Sequence, residues 1–225
     1  MPDTKDSTKV STNQIGINPK LSTVVLKNLS SDFEYPISPQ TRNMCQKLKE
    51  RQARHAADIL LDSGCGTGDS TITIAQNYPN SLVLGIDKSE KRLHKALRKR
   101  HPGNAHFIRA NLVDFWLGLK YADVKVAANF IFYPNPWPKQ KDLKNRWHGH
   151  PIMTVLAELS DYIELRTNWH IYAKEFWSSL NIFTDSPARL RKIRPNKPIS
   201  AFEKKYLESG HGLFQITYGA NPEIS

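Results

Sequence analysis

The sequence predicts an α/β protein built on a doubly wound, mostly parallel sheet. Short apolar runs alternate with segments whose apolar residues recur at helical spacing, which is the pattern of repeated βα units. The run at 58–61 leads directly into the glycine-rich segment DSGCGTG at 62–68, and a second run, LGID at 84–87, ends in an acid. Ligands of such sheets bind at the carboxyl ends of the strands, so these two ends predict a nucleotide-cofactor site.

The first part of the chain is predicted to contain a tail, an extended segment and a helix. Residues 1–20 are polar and lack periodicity, so we expect a disordered tail, followed by a single domain over 21–225. The segment from 21 to about 39 is predicted to be extended. Ser38 followed by Pro39 predicts the start of a helix, with the serine as N-cap and the proline in the first turn.

The elements that follow alternate between strands and helices. The predicted strands lie at about 58–62, 82–87, 105–109, 124–132, 162–166 and 213–218. The predicted helices lie after the glycine segment to about 77, and at about 89–100, 152–163 and 168–180. Two basic segments at 139–146 and 189–197 contain proline or aromatic residues and are predicted to be loops, where binding groups tend to lie.

Composition limits the partners and the location. The chain has 225 residues, enough for one large α/β domain, and its net charge of +11 favours a polyanionic partner such as nucleic acid. A third basic segment, at 88–100, is expected to be a solvated helix face. No apolar run approaches the roughly 20 residues that span a bilayer, and the start lacks a secretory signal. We therefore expect a cytoplasmic monomer without a membrane partner, and the two cysteines suggest no metal site.

The glycine spacing selects among nucleotide cofactors. Gly64, Gly66 and Gly68 form G-x-G-x-G after an acid, which fits S-adenosylmethionine better than a pyrophosphate, whose usual pattern is G-x-G-x-x-G. The carboxylate of Asp62 can face the cationic end of that cofactor, and Asp87 can accept both hydroxyls of a ribose. The alternative is a tight strand-to-helix turn in a protein with some other ligand.

Two asparagines follow the next two predicted strands and therefore join the same crevice. Asn111 either hydrogen-bonds an adenine edge or caps the next helix. Asn135 lies between Pro134 and Pro136, which stiffen the backbone and hold its side chain in a fixed direction. This turn is either a rigid packing feature around Trp137 or a substrate loop, and the rigid turn is compatible with the second role.

Several longer segments occur together in one order, namely DSGCGTG with GID, RANLVDF, PNPWPKQK, LRTNWHIYAKEF and RPNKPISAFEKKYLESGHGLFQITY. From about residue 58 to 218 the chain thereby resembles the bacterial tRNA (guanine-N7)-methyltransferases, a class I S-adenosylmethionine-dependent family. The glycine loop alone indicates only a methyltransferase, whereas the later segments are much narrower signals. The resemblance implies a Rossmann-like class I methyltransferase fold, S-adenosylmethionine as cofactor, and methylation of a tRNA guanosine at N7.

The resemblance also implies roles position by position. Cofactor contacts fall on Asp62, Gly64, Gly66, Gly68, Asp87, Asn111 and Leu112. Substrate contacts fall on Lys139, Asn168, Ser200 and Glu203. The residue regarded as the active-site acid of the family falls on Asn135.

The chain departs from the family pattern at several of these positions. Amides replace acids where P-N-P-W stands for P-D-P-W at Asn135 and T-N-W stands for T-D-W at Asn168. Ser200 stands for a threonine, and KDLKNR at 141–146 stands for R-H-x-K-R-R. Guanine N7 carries a free lone pair and needs no general base, so alignment and nearby negative charge must do the work. The amides therefore predict a slower enzyme or a changed acceptor.

Four functions stay open at this point. The leading one is methylation of guanosine N7 in tRNA, which the motifs and the positive charge favour. The others are a methyltransferase retargeted to another RNA base or small molecule, a non-catalytic RNA-binding relative, and a basic α/β domain with an unrelated nucleotide ligand.

Overall fold

The computed structural model describes residues 7–55, 57–184 and 186–222. The strands in this part of the chain are β1 (Ile59–Ser63), β2 (Leu82–Asp87), β3 (Ala105–Arg109), β4 (Val126–Phe132), β5 (Ser160–Thr167), β6 (Arg189–Ile193) and β7 (Leu213–Gly219). The α-helices are α1 (Leu21–Leu29), α2 (Pro39–Arg54), α3 (Asp69–Asn77), α4 (Glu90–Leu97), α5 (Leu112–Tyr121), α6 (Met153–Leu159), α7 (His170–Phe183) and α8 (Ala201–Glu208). Two 3-10 turns lie at Gln140–Asn145 and Trp147–Gly149.

The strands form one sheet in the order β3-β2-β1-β4-β5-β7-β6. The first five strands are parallel, and β7 runs antiparallel to both β5 and β6. The chain moves outward from β1 to β3 and then returns to place β4 on the other side of β1. This reversal opens a crevice at the carboxyl ends of β1 and β4. The predicted doubly wound, mostly parallel sheet is therefore confirmed.

Strand β1 shows why this sheet carries helices on both faces. Ile59 and Leu61 belong to one apolar cluster with Phe115 of α5, whereas Leu60 belongs to a second cluster with Ile74 of α3. Successive side chains of a strand point to opposite faces, so a strand that is covered on both faces is apolar along its length. None of the described helices is long and apolar enough to cross a membrane.

Two predictions of local structure are wrong because tertiary packing decides them. Residues 21–29 form helix α1 and not an extended segment, since Leu21 and Val25, one turn apart, pack against Leu143. Residues 189–193 form the edge strand β6 and not a loop, and this strand pairs with β7. Its exposed basic side chains are of the kind that protect a sheet edge from further pairing.

The apolar spacing at 152–163 spans two elements and not one helix. Helix α6 ends at Leu159, and Ile163 lies inside strand β5, buried against the same core. The sequence predicts α5 only as the helix that Asn111 would cap, and it does not predict α8. The start of α2 after Ser38 is confirmed, because the serine side chain accepts a hydrogen bond from the Thr41 backbone N–H.

Residues 7–20 contact the rest of the protein, which differs from the expected tail. The Thr12 hydroxyl donates to a backbone carbonyl of the loop after β4 at 2.6 Å, and the Gln14 amide donates to the buried Glu175 carboxylate at 2.6 Å. The polar side chains that suggested a tail here supply the donors for these bonds. The prediction of disorder thus does not describe residues 7–20, and residues 1–6 lie outside the described part of the chain.

Candidate active site

The glycine loop between β1 and α3 is held to the second strand by its backbone. The N–H groups of Gly64 and Cys65 both donate to the carbonyl of Ile86, at 2.8 and 3.0 Å. Gly64, Gly66 and Gly68 all have positive φ, at +89°, +57° and +80°, a region that disfavours other residues. The sharp turn predicted from the glycines is therefore present.

The three glycines serve two different purposes. A Cβ atom at Gly68 would lie 2.7 Å from the Cβ of Ala96 and 2.7 Å from the ring of Phe107, so this glycine allows close packing of α4 and β3 on the loop. A Cβ atom at Gly64 or Gly66 would meet no protein atom within 4 Å. These two positions border open space, as the backbone of a ligand cradle does.

Asp62, at the end of β1, anchors the start of helix α3. Its Oδ2 atom accepts hydrogen bonds from the hydroxyls of Ser70 and Thr71, both at 2.6 Å. Burial raises the pKa of Asp62 to about 6, although these two hydrogen bonds oppose the shift. The carboxyl group therefore changes charge close to neutral pH, inside the site.

Asp87, at the end of β2, ties the glycine loop to helix α4. Its Oδ2 accepts from the Gly66 backbone N–H at 3.0 Å, and its Oδ1 accepts from the Ser89 N–H at 2.7 Å. The same Oδ1 forms an ion pair with Arg92 at 2.9 Å. The carboxylate thus holds the loop in place through both oxygens, and its contact with a ribose stays a prediction.

Asn111 follows β3 and caps helix α5. Its Oδ1 accepts from the Val113 N–H at 2.9 Å, as the capping alternative predicts. The Ala110 N–H donates to the carbonyl of Asp87 at 3.3 Å, which brings this segment to the end of β2. The cap uses only the amide oxygen, so the amide nitrogen of this exposed side chain keeps donors for a ligand. Leu112 begins the helix and is half-buried.

The loop that follows β4 carries Asn135 on a constrained backbone. Tyr133 and Trp137 both have positive φ, at +51° and +47°. The Tyr133 N–H donates to the Arg166 carbonyl at 2.7 Å, and the Arg146 guanidinium donates to the Trp137 carbonyl at 3.1 Å. The loop is thus held at both ends while Asn135 is exposed between them. Trp137 is 39% exposed, so its ring is not part of the buried core.

A buried ionic cluster supports the far end of this loop. Arg146 pairs with Glu175, and His148 Nε2 lies 2.9 Å from the same carboxylate, with all three side chains fully buried. Burial alone would raise the pKa of Glu175, but hydrogen bonding and charge from His148 and Arg146 hold it at about 2. Lys139 contributes its backbone carbonyl to Arg146 at 3.2 Å and is exposed. The loop is therefore anchored on a buried carboxylate that stays ionised near neutral pH.

Asn168, which follows β5, forms a relay of hydrogen bonds with His211 and Ser7. Its Nδ2 lies 3.0 Å from His211 Nδ1, and His211 Nε2 lies 2.8 Å from the Ser7 carbonyl. An amide N–H can only donate and a carbonyl can only accept, so the geometry fits the neutral imidazole with its proton on Nε2. An asparagine at this position is matched to that tautomer.

Glu203 is buried and already bonded through both oxygens. Its Oε1 accepts from the Tyr133 hydroxyl at 2.7 Å and from Arg166 at 3.0 Å, while its Oε2 accepts from the Ile199 N–H at 2.7 Å. Ser200 caps α8 by accepting from the Glu203 N–H at 3.2 Å. In this structure Glu203 fixes helix α8 against the loop after β4, and its carboxylate does not face open space.

Sequence reasoning did not select Tyr133 and Arg166, although both shape the site. The signal was available, since YIELRT places two charged residues, Glu164 and Arg166, in a predicted strand and Tyr133 directly precedes P-N-P-W. The predicted site residues themselves follow the carboxyl ends of β1 to β5 or begin α8, and the sheet brings these ends to one edge. The prediction of one shared crevice agrees with this placement, whereas the individual roles stay predictions.

The sheet with its antiparallel β7, together with the glycine loop at the switch point, defines a Rossmann-like class I methyltransferase fold. Comparison with known proteins agrees with this class. The chain belongs to the methyltransferase family whose model, described as "Putative methyltransferase", matches residues 56–216.

Similar proteins support the same family. The tRNA (guanine-N(7)-)-methyltransferase of Legionella pneumophila (strain Paris) is 27% identical over 211 residues, which cover 86% of this chain and 85% of the relative. The protein of that name from Thiobacillus denitrificans (strain ATCC 25259 / T1) is 25% identical over 206 residues, which cover 86% of each chain. The sequence similarity to both relatives thus extends well beyond the glycine loop.

Solved structures with the same fold include methyltransferases. The 16S rRNA methyltransferase KamB superposes with a TM-score of 0.54 at 14% identity, covering 84% of this chain and 96% of that one. The 16S rRNA (adenine(1408)-N(1))-methyltransferase of Catenulisporales acidiphilia superposes with a TM-score of 0.52 at 14% identity, covering 85% and 95%. At this identity the likeness concerns the fold alone.

Proposed function

We propose that this protein transfers the methyl group of S-adenosylmethionine to N7 of a guanosine in tRNA. The observation that carries the proposal is the pairing of β1 with β4, which puts the glycine loop and the exposed loop around Asn135 at adjacent strand ends. A methyl donor and an acceptor must meet at such a place. The choice of acceptor is supported by the relatives, which carry the name tRNA (guanine-N(7)-)-methyltransferase.

The residues of the first loop fit the cofactor. Gly64 and Gly66 leave open space where a Cβ would lie, so a ligand can approach their backbone closely. Asp62 supplies negative charge to the cationic end of the ligand, and Asn111 has amide donors for an adenine edge. Oδ1 of Asp87 already accepts from Ser89 and Arg92, whereas Oδ2 accepts only from the Gly66 N–H and has a further lone pair for a ribose hydroxyl. When bound, S-adenosylmethionine supplies an electrophilic methyl group on a sulfonium centre.

Transfer to the acceptor depends on how the protein positions the guanine more than on acid–base chemistry. Guanine N7 needs no deprotonation, so the protein has to hold the base in line with the methyl group and stabilise the ring as it becomes cationic. The fixed backbone around Asn135 provides position, and the amide oxygen provides a weaker partner than a carboxylate would. Lys139 is exposed on the same loop, where it can contact a phosphate.

Asn168, Ser200 and Glu203 are all predicted to contact the substrate, but their observed contacts support different roles. We assign Glu203 as a positioning residue, because its oxygens are used by Tyr133, Arg166 and a backbone N–H. Asn168 has one amide donor engaged by His211, and its carbonyl oxygen can accept from the donor edge of guanine. The relatives' shared name favours guanine N7 over the retargeted and non-catalytic alternatives.

The test is direct transfer of label to RNA. The purified protein is incubated with methyl-labelled S-adenosylmethionine and unmodified bulk tRNA, and the digested nucleosides are identified by chromatography and mass spectrometry. Labelled 7-methylguanosine is expected. Label in a different nucleoside would contradict the assignment of the acceptor, and cofactor binding without any transfer would contradict the proposed activity. Gly66→Val, which blocks the cradle, is the matched negative control.

A further inference from the structure

Helix α8 carries an exposed aromatic ring on top of a stack of rings. Phe202 is stacked on Tyr206, with centroids 6.3 Å apart and an angle of 27° between the planes. Tyr206 in turn stacks on His211 at 5.2 Å and 28°. It also contacts Tyr133 at 5.2 Å. These ring contacts therefore extend from Phe202 at the protein surface to Tyr133, the first residue of the loop that contains Asn135.

Exposure alone would not single out Phe202, since lone apolar side chains are common on protein surfaces. Phe202 differs from such side chains because other aromatic rings are stacked beneath it. The ring is 56% exposed, while His211 beneath Tyr206 is buried and bonded to Asn168. Glu203, the next residue of the helix, accepts hydrogen bonds from Tyr133 and Arg166 and so fixes the helix beside Phe202. The helix that carries the exposed ring is consequently joined to the first residue of the loop that contains Asn135.

Lysines flank the ring in the chain. Lys204 and Lys205 lie on the same helix, and Lys197 precedes it; all three are exposed, and Lys204 lies 3.8 Å from Glu208 of the same helix. The chain as a whole carries a net charge of +11. An aromatic ring flanked by lysines is the combination used to bind unpaired nucleotides, with bases on the ring and phosphates on the cations.

We propose that Phe202 is a stacking platform for an unpaired base of the RNA substrate at the edge of the active site. The inference rests on the proposed function and adds a contact that the methyl-transfer chemistry does not require. The occupant is a nucleobase because the stack offers a flat apolar face, and charge complementarity with the neighbouring lysines favours a polyanion. Such stacking tolerates any base, so the contact supplies affinity and not sequence choice.

The test compares Phe202→Ala and Phe202→Trp with the wild-type protein. Binding of an unmodified tRNA transcript is measured by filter binding, and initial rates of methyl transfer give KM and kcat. Phe202→Ala should weaken tRNA binding by about 10-fold, from the usual effect of removing one base stack, whereas Phe202→Trp should retain it. Tyr121→Ala is the matched control, since this ring is 68% exposed at the last residue of α5, away from the strand ends of the site.

Three readouts distinguish base stacking from a phosphate contact and from a catalytic role. Affinity for S-adenosylmethionine should be unchanged in Phe202→Ala, and the dependence of log Kd on log salt should keep its slope. Lys205→Ala should instead reduce that slope by about 0.7, the value for one phosphate contact to a single strand. The kcat of Phe202→Ala at saturating tRNA should stay close to that of the wild type, because the ring does not touch the reacting atoms.

The outcomes distinguish the inference from the function on which it rests. If the wild type methylates tRNA and Phe202→Ala binds tRNA equally well, the platform is overturned and the function stands. If the wild type neither binds nor methylates tRNA, the proposed function fails and the platform with it. If Phe202→Ala abolishes self-association in sedimentation and leaves tRNA binding intact, a second copy of the chain covers the ring and the inference is overturned.

Discussion

The Tyr133 hydroxyl donates a hydrogen bond of 2.7 Å to the carboxylate of Glu203, and this bond joins the loop after β4 to helix α8. The two residues are separated by 70 positions in sequence, so the bond links segments that are distant in the chain, and the contact between the rings of Tyr133 and Tyr206 links the same two segments. Arg166, on β5, forms an ion pair of 3.0 Å with the same carboxylate. The loop of Asn135 and the helix of Phe202 are therefore joined by direct side-chain contacts.

Removing this bond should loosen both elements. Tyr133→Phe leaves a buried carboxylate oxygen with one donor fewer, which should lower the free energy of unfolding by about 1–2 kcal/mol. We expect the kcat/KM for tRNA to fall while affinity for S-adenosylmethionine stays unchanged. Thermal unfolding and steady-state kinetics measure the two effects. Unaltered stability together with unaltered kcat/KM would show that the bond does not position the loop. Tyr35→Phe, at an exposed tyrosine, is the control.

Cofactor affinity should depend on pH through Asp62. Burial raises the pKa of this group to about 6, so the carboxyl is mostly neutral at pH 5 and mostly ionised at pH 7. Only the ionised form attracts the cationic end of S-adenosylmethionine, so affinity should rise about tenfold over this range and then level off. Calorimetric titration at several pH values measures the profile. Asp62→Asn should bind weakly at every pH, and a flat wild-type profile would rule out the contact.

The raised pKa of Asp62 also makes the stability of the folded protein depend on pH. Because the folded-state pKa lies above the ordinary value of 3.8, the folded protein holds this proton more tightly than the unfolded chain does. The contribution of Asp62 to stability is therefore present below about pH 4 and is lost as the pH rises to about 6. Unfolding of Asp62→Asn should lack this part of the pH dependence when compared with the wild type.

Asp87→Ala should weaken binding of S-adenosylmethionine by at least tenfold. The substitution removes the acceptor for the Gly66 N–H as well as the proposed ribose contact, so the cradle loses its fixed shape. Arg92→Ala is the control, because it removes only the partly exposed ion pair and leaves the Gly66 bond in place. Calorimetry on both variants measures the difference. Equal affinity for Asp87→Ala and the wild type would exclude any role for this carboxylate in the site.

Restoring an acid at position 135 should accelerate methylation. Asn135→Asp places a full negative charge near the guanine as it becomes cationic, and a preorganised electrostatic partner of this kind is typically worth about 10²–10³ in rate. The rate of 7-methylguanosine formation on unmodified tRNA is the measurement. Asn145→Asp, which adds the same charge on an exposed 3-10 turn, should change little. No gain from Asn135→Asp would contradict the electrostatic role proposed for position 135.

The sheet could be predicted because β1 and β2 are buried on both faces and read as apolar runs that carry an acid at the end. Asp62 and Asp87 were found in this way, through the spacing of local segments. The helix at 21–29 and the edge strand at 189–193 could not, since each is decided by a distant partner, α7 or β7. Short amphipathic segments have no local signal that outweighs such packing.

The contacts within the site escaped prediction for the same reason. The sequence indicated which residues gather at the sheet edge, and it placed Glu203 among the groups that face a substrate. It could not show that Tyr133 and Arg166 occupy the Glu203 carboxylate, because these contacts span 70 and 37 positions. Nor could it show that polar residues before Leu21 bind Glu175, a carboxylate buried in α7.

Methylation at guanine N7 can be tested with a tRNA that lacks the reacting atom. Two transcripts of one tRNA are prepared, one with guanosine and one with 7-deazaguanosine, which has carbon in place of N7. Both are incubated with the protein and labelled S-adenosylmethionine. We expect label in the first transcript, recovered as 7-methylguanosine, and none in the second at equal binding. Equal label in both transcripts would contradict methylation at guanine N7.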